Sequence, residues 1–318
     1  MPSILLSSFL ATLAALAKVA IIVVACAWLV RRNIFNETHV RALSGVVVHL
    51  SLPTLVFSSI VSNFNVSAYP DWWKFPLVGA ALNLSVLALG PIIFKKDKEQ
   101  RRTLSAMIAF QNANYLILPL GEVLFPDQFE RFSIYIFLML LTYNPLLWSL
   151  GSFHISHRQG MKMKWSHLFT TPFCATVLAL LLVFTGLARY LPSILVGSTE
   201  LVGKSCVPMA MVVLGFTMGA LRVSRMPSFW VVFRVAAIKL VVVPLLMFFI
   251  LKYTSLSSGA LESSFWILEA SSPPATGLAL QAVHFGGDEK LVCGIMVVTY
   301  LLALFTIPLF FSIVQAIL

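Results

Sequence analysis

The sequence predicts an all-α integral membrane protein of ten transmembrane helices, built as two inverted five-helix repeats whose helices 4 and 9 are broken and cross. Three observations predict it. Hydrophobic residues make up 59% of the 318 and charged residues 11%, where a soluble domain carries about 25% charged residues. Mean hydropathy is +0.93. Basic residues alternate between dense and sparse in successive loops, and two apolar runs carry prolines and polar side chains at membrane depth. The runs are continuous, whereas a β-barrel would alternate. The net charge of +10 lies in short loops, with no basic face interleaved with aromatic platforms, so nucleic acid is no expected partner.

The spans run over about 4–30, 40–62, 72–94, 103–125 and 130–153, then about 168–187, 196–220, 228–251, 262–284 and 289–317. Span 1 has no basic leader and is too long for a signal-peptide core, so it reads as a retained span. Span 2 carries His49 at its middle and Pro53 beyond it. Span 3 ends in Lys95, Lys96 and Lys98, and span 4 contains "AFQNANYLILPLG" from Ala109 to Gly121. Span 5 closes the first repeat, 1–153, and a basic cytoplasmic linker, 154–167, leads to the second, 168–318. Span 6 holds Cys174, and the four cysteines, with no CxxC spacing, read as packing residues. Span 7 opens with Glu200 and Lys204, spaced for a helix-surface pair. Span 8 has Lys239 near its centre, span 9 contains "LEASSPPATGLAL" from Leu268 to Leu280, and span 10 closes the chain.

Loops after odd-numbered spans hold 14 basic residues and those after even-numbered spans hold 4. Positive residues stay inside, so both termini are expected outside the cytoplasm. Two sequons, at Asn36 and Asn65, matter only in a secretory pathway. Five spans per half force a duplicated half to insert upside down. Pro53 in "LSLPTLVFSS" matches Pro208 in "SCVPMAMVVL", and "NPLLWS" from Asn144 matches "IPLFFS" from Ile307, at offsets of 155 and 163 residues. An offset of about 160 lays the polar stretch of span 4 onto that of span 9. Paired interruptions in corresponding spans of inverted halves point to a secondary transporter's binding site.

On that reading Asn112, Asn114, Pro119, Ser272, Pro273, Pro274 and Thr276 form a substrate site. Asn112 and Asn114 donate hydrogen bonds, and half-helix ends at Pro119 and Pro273–Pro274 supply positive dipoles. Glu269, with Ser271 and Gln111, is the candidate for a coupling cation; an intramembrane carboxylate costs roughly 2.5 kcal/mol or more and needs a partner. Lys239 and His49 are the candidate charge partners. The plainer alternatives are a kinked helix with amides bonded to a neighbour, a structural ion pair, and a hydrogen-bonded buried histidine. His154, His157 and His167 make no metal site, and no HExxH, GxSxG or phosphate loop is present, so no enzyme and no cofactor is expected.

"ACAWLVRRNIFNETHVRALSGVVVHLSLPTLVFSSI" resembles the first two spans of the auxin efflux carrier family in its bacterial branch. The family's Asn followed seven residues later by Pro is met by Asn112 and Pro119. "PMAMVVLGFTMG", "KLVVVPLL" and "FGGDEKLVCGIMVVTYLLALFTIPL" are similar to its spans 7, 8 and 10. The resemblance implies a fold shared with bile acid:sodium symporters. Spans 1, 2, 6 and 7 then form a scaffold and homodimer interface, and spans 3–5 and 8–10 move as an elevator. It implies transport of a small organic anion, a mono- or dicarboxylate, across a cell inner membrane. The long cytoplasmic loop of plant auxin carriers is missing, which argues against auxin. Two positions often glycine in the family are Asn114 and Ile117 here; Asn tolerates unusual backbone, so the break is expected to survive at Asn114. Sodium or a proton is the coupling ion to consider, sodium because a span 9 glutamate serves the symporters. A sodium-coupled symporter, a passive channel and a membrane sensor are the rival readings.

Overall fold

The computed structural model describes residues 2–156, 169–221 and 226–318. The basic residues Arg158, Lys162, Lys164, Arg222 and Arg225, with His157, His167 and most of the linker, lie outside the described residues. Every regular element among the described residues is helical. In order they are α1 (Pro2–Arg31), α2 (Glu37–Asn63), α3 (Lys74–Ile93), α4 (Arg101–Ala109), α5 (Ala113–Leu124) and α6 (Pro126–Ile155). There follow α7 (Thr171–Phe184), α8 (Ser193–Ala220), α9 (Phe229–Tyr253), α10 (Ala260–Ser271), α11 (Thr276–Phe285) and α12 (Glu289–Ile317). Seven helices, α1, α2, α3, α6, α8, α9 and α12, are long and apolar enough to cross a membrane. The chain is a multi-pass membrane protein.

The expected fourth and ninth spans are each two helices joined by a short extended piece. In the later one the cause is plain: Pro273 and Pro274 have no N–H to continue α10, and each forces its predecessor toward extended backbone. Ser272 accordingly sits at φ −67°, ψ 138°. In the earlier one the break falls at Phe110–Asn112, not at Asn114 or Pro119 as expected. Asn114 is helical, and among the described non-glycine residues only Asn33 adopts a positive φ.

Pro119 is absorbed differently. It follows a widened π turn, Ala113–Ile117, in which Leu118 N–H donates to the Ala113 carbonyl. The same device recurs at Val47–Ser51 before Pro53 and at Ile238–Val242 before Pro244. A proline ring crowds the carbonyl four residues back, and bonding five residues back relieves that crowding without ending the helix. Each wide turn carries at least one polar residue, among them His49, Asn114 and Lys239.

α4 and α10 are the most enclosed helices, with every residue buried from Thr103 to Ala109 and from Glu262 to Ser271. An aromatic stack holds α3, α6 and α10 together: Phe75 lies 4.4 Å from Tyr135 and 5.6 Å from Trp266, ring to ring. Arg234 on α9 grips Asp97, in the turn after α3, with two bonds of 2.8 and 2.9 Å. On the other side, α8 packs on α1 through Gly215 and Gly219, where an added Cβ would lie 2.6 Å from the Val23 and Ala27 carbonyl oxygens. Small residues four apart let membrane helices approach this closely. Glu200 and Lys204 make an exposed helix-surface pair at 2.8 Å.

Candidate functional site: the helix crossing

The two extended pieces meet. Gln111 and Pro274 form an antiparallel bridge, in which Asn112 N–H donates to the Pro273 carbonyl at 2.9 Å and Ala275 N–H to the Phe110 carbonyl at 3.0 Å. Non-helical backbone buried away from water must find such partners, and each broken helix supplies them for the other. Asn112 N–H also reaches Ser272 Oγ at 3.0 Å. The Asn112 side chain works in two directions: its Oδ1 accepts from Tyr115 N–H and caps α5, while its Nδ2 donates to the Tyr300 hydroxyl at 2.5 Å. Tyr300, on α12, donates onward to the Pro274 carbonyl at 3.1 Å. Tyr143, on α6, donates to the Gln111 carbonyl.

A cavity of about 440 Å³ opens on one side of this crossing. Its lining includes the first residues of α5 (Ala113, Asn114) and of α11 (Thr276, Gly277), so two helix N-termini face one space. Each carries unsatisfied N–H groups and about half a positive charge. Among the described residues His49 is the sole ionisable lining side chain apart from the Tyr115 and Tyr143 phenols, and its Nδ1 lies 2.8 Å from Thr171 Oγ1. Ser44, His49, Trp148 and Leu280 also line a second cavity of about 490 Å³, which leads toward Glu37, Arg41 and Glu289. The first cavity thus shares a wall with one that reaches the end of the molecule carrying the α1–α2 and α11–α12 turns.

A family model described as a membrane transport protein matches residues 11–164 and 155–311. The chain belongs to that family, the auxin efflux carriers. It is also similar to a protein described as an uncharacterized transporter from Methanocaldococcus jannaschii, with 23% identity over 282 residues that cover 87% of this chain and 90% of the relative. This auxin efflux carrier family member is a membrane transport protein.

In the family member's structure the expected site residues divide into three groups. Asn112, Ser272, Pro273 and Pro274 make the crossing itself, and Asn112, Asn114 and Thr276 line the cavity. His49 lines it from α2. Pro119 is buried within α5, away from the lining, because the break lies upstream of it. Gln111 joins the crossing through its backbone, and its side chain is buried, as are Glu269, Ser271 and Lys239; Ser271 Oγ is spent on the Ile267 carbonyl. Sequence reasoning missed Tyr143 and Tyr300. Both stand inside long apolar helices, Tyr143 directly before Asn144–Pro145, and a phenol in such a run needs a partner when buried.

Proposed function

We propose that this chain is a secondary carrier that moves a small organic anion, a mono- or dicarboxylate, by alternating access. The observation that carries the reading is the pair of helix N-termini, α5 and α11, converging on one cavity beside the crossing. A carboxylate there meets backbone N–H groups, the Asn114 amide and the Thr276 hydroxyl, with no fixed negative charge in the lining among the described residues. The volume suits a small ligand, since ligand pockets start at about 300 Å³.

In this reading α4–α5 and α10–α11 each count as one interrupted span, and with α7 the total is ten, in two inverted repeats. The basic loops put the α1–α2 and α11–α12 turns in the cytoplasm, so the cavity faces inward and both termini lie outside. Spans 3–5 and 8–10 move as an elevator. The packing of α3 on α4 and α6, of α10 on α9 and α12, and the Arg234–Asp97 pair support their moving together. Spans 1, 2, 6 and 7, joined by the α1–α8, α2–α7 and α2–α8 contacts, stay fixed as the scaffold of a homodimer.

Uptake of labelled malonate, malate and monocarboxylates into proteoliposomes tests the reading. Saturable counterflow is expected, with Asn112→Ala cutting it at least about tenfold, since that change removes both the α5 cap and the Tyr300 bond. A flux that rises linearly with concentration would instead mark a channel.

A further inference from the structure

Apart from the substrate cavity, α1 and α12 enclose an apolar groove that opens on the outside of the molecule. Its inner part is a cavity of about 320 Å³, to which α5 adds Leu116 and α8 adds Leu214 and Met218. Its outer part is a cavity of about 590 Å³ that shares Ala20, Val24 and Leu304 with the first. Ile21, Val24 and Phe305 at the rim are exposed, so the opening faces lipid. Apart from the Trp28 indole, the polar side chains in the two linings are Arg31 and Tyr300, and no acidic side chain lines either among the described residues. The charge lies at one end. Arg31, the last residue of α1, donates one N–H to the Leu221 carbonyl at 2.8 Å, which leaves four of its five donors. The Arg32 guanidinium lies 5.3 Å from the Trp28 ring, and Trp28 lines the outer cavity. Neither arginine has an ion-pair partner among the described residues. From Arg31 the inner cavity follows α1 to Leu16, about 22 Å at the helical rise, more than half of a ~30 Å hydrocarbon core.

We propose that this groove holds an anionic phospholipid of the cytoplasmic leaflet, its phosphate on Arg31 and Arg32 and an acyl chain between α1 and α12. The head matches two unpaired guanidinium groups, which bind phosphate oxygens well, and basic sites between helices at the cytoplasmic face hold such heads. The chain matches a lining that offers a free soluble anion nothing beyond its charged end. A second copy fits less well. Docked by the same face about an axis along the membrane normal, it would bring its own Arg31 and Arg32 to the same end, like charge against like. The groove also touches the crossing. Tyr300 lines the inner cavity, and its hydroxyl accepts from Asn112 Nδ2 and donates to the Pro274 carbonyl. An acyl chain there packs on the ring that ties the crossing to α12. α1 belongs to the proposed scaffold and α12 to the proposed moving body, so the lipid lies on their boundary. The inference rests on the membrane orientation given above and needs no transported substrate.

The test uses the full chain, stripped of lipid in detergent, with dioleoyl phosphatidylglycerol, dioleoyl phosphatidylcholine or glycerol phosphate added, and reads thermal melting. Phosphatidylglycerol is expected to raise the melting point saturably by about 3 °C or more, phosphatidylcholine by less than half as much, and glycerol phosphate not at all. R32Q leaves the Arg31 bond to Leu221 in place. It should melt like wild type without lipid and lose at least half of the phosphatidylglycerol rise. A20W puts an indole where the two cavities meet and should lose the rise with both lipids. I22W, outside both linings, should keep it. If A20W does not fold, wild type and R32Q decide. Equal rises with the two lipids overturn the proposal, as does a rise undiminished in R32Q or in folded A20W. A rise with glycerol phosphate that matches phosphatidylglycerol marks a free-phosphate site and overturns the lipid. A melting point that climbs with protein concentration and not with phosphatidylglycerol marks a second copy on the face and overturns it too. Absence of saturable uptake for every carboxylate sinks the carrier reading while the melting comparison still decides the groove.

Discussion

At the scale of single residues, Asn112 and Asn114 look interchangeable in the sequence but stand in opposite surroundings. Every polar group of Asn112 is committed to protein: its N–H to the facing strand, its Oδ1 to the α5 N-terminus and its Nδ2 to Tyr300. Asn114 Oδ1 is buried at the cavity wall with no partner among the described residues. An amide committed to protein and an amide left open at a cavity wall respond to deletion differently. Tyr300→Phe leaves Asn112 Nδ2 and the Pro274 carbonyl unpaired, so it should lower stability by about 1–3 kcal/mol, seen as a lower melting temperature in detergent. Asn114→Ala removes an acceptor that is already unpaired and should leave the melting point unchanged or raise it. Its cost should appear instead as a rise of about tenfold in the apparent KM for uptake, about 1.4 kcal/mol of lost binding. If Asn114→Ala destabilises the protein and spares KM, the amide is structural and the cavity assignment loses its side-chain donor.

At the scale of elements, the sequence made the existence of the helices legible, because continuous apolar runs and basic punctuation are strong local signals. The break in the later interrupted span was equally legible, since two consecutive prolines allow no helix. The earlier break was misplaced because its cause is not local. Phe110–Asn112 holds no proline, and it is held extended by partners distant in sequence, Ser272–Ala275 and the Tyr143 hydroxyl. Proline at 119, the obvious local suspect, is absorbed by a π turn whose presence a propensity argument does not foresee. The α1–α8 contact was also written in the chain, as Gly215 and Gly219 four apart, but a lone spacing of that kind does not name its partner helix. The structure does, and the contact makes a sharp prediction. Gly219→Val drives a branched side chain into the Ala27 backbone and should cost about 1–3 kcal/mol, read as earlier melting and loss of the folded species on size exclusion. Gly197→Val, on the same helix with open space around its Cβ position, is the matched control and should melt like wild type. Equal melting of the two variants would mean that α1 and α8 do not depend on close approach.

At the scale of the whole molecule, the crossing divides the space between the helices into two sides with different shapes. On one side the cavity of about 440 Å³ adjoins a second of about 490 Å³ that is lined by Arg41. On the other, a separate cavity of about 440 Å³, lined by Ser58, Ser62, Glu122 and Glu200 among others, does not share a lining residue with the first. On the proposed carrier reading, the bridge and the Tyr300 and Tyr143 bonds are the barrier between them. Alternating access then requires the barrier to stay intact while the side that is open changes, which favours movement of the crossing as a body over its unwinding. Thiol accessibility reads both the orientation and the conformation at once. In a variant with Cys26, Cys174, Cys206 and Cys293 replaced, a cysteine at Ser44 should react with a membrane-impermeant reagent from the cytoplasmic face only, and saturating substrate should protect it. A cysteine at Ser62 should react from the opposite face only. Labelling of both positions from one face would overturn the proposed topology. Labelling of each from its own face, with no protection of the Ser44 position by any transported anion, would keep the topology and remove the cavity from the transport path.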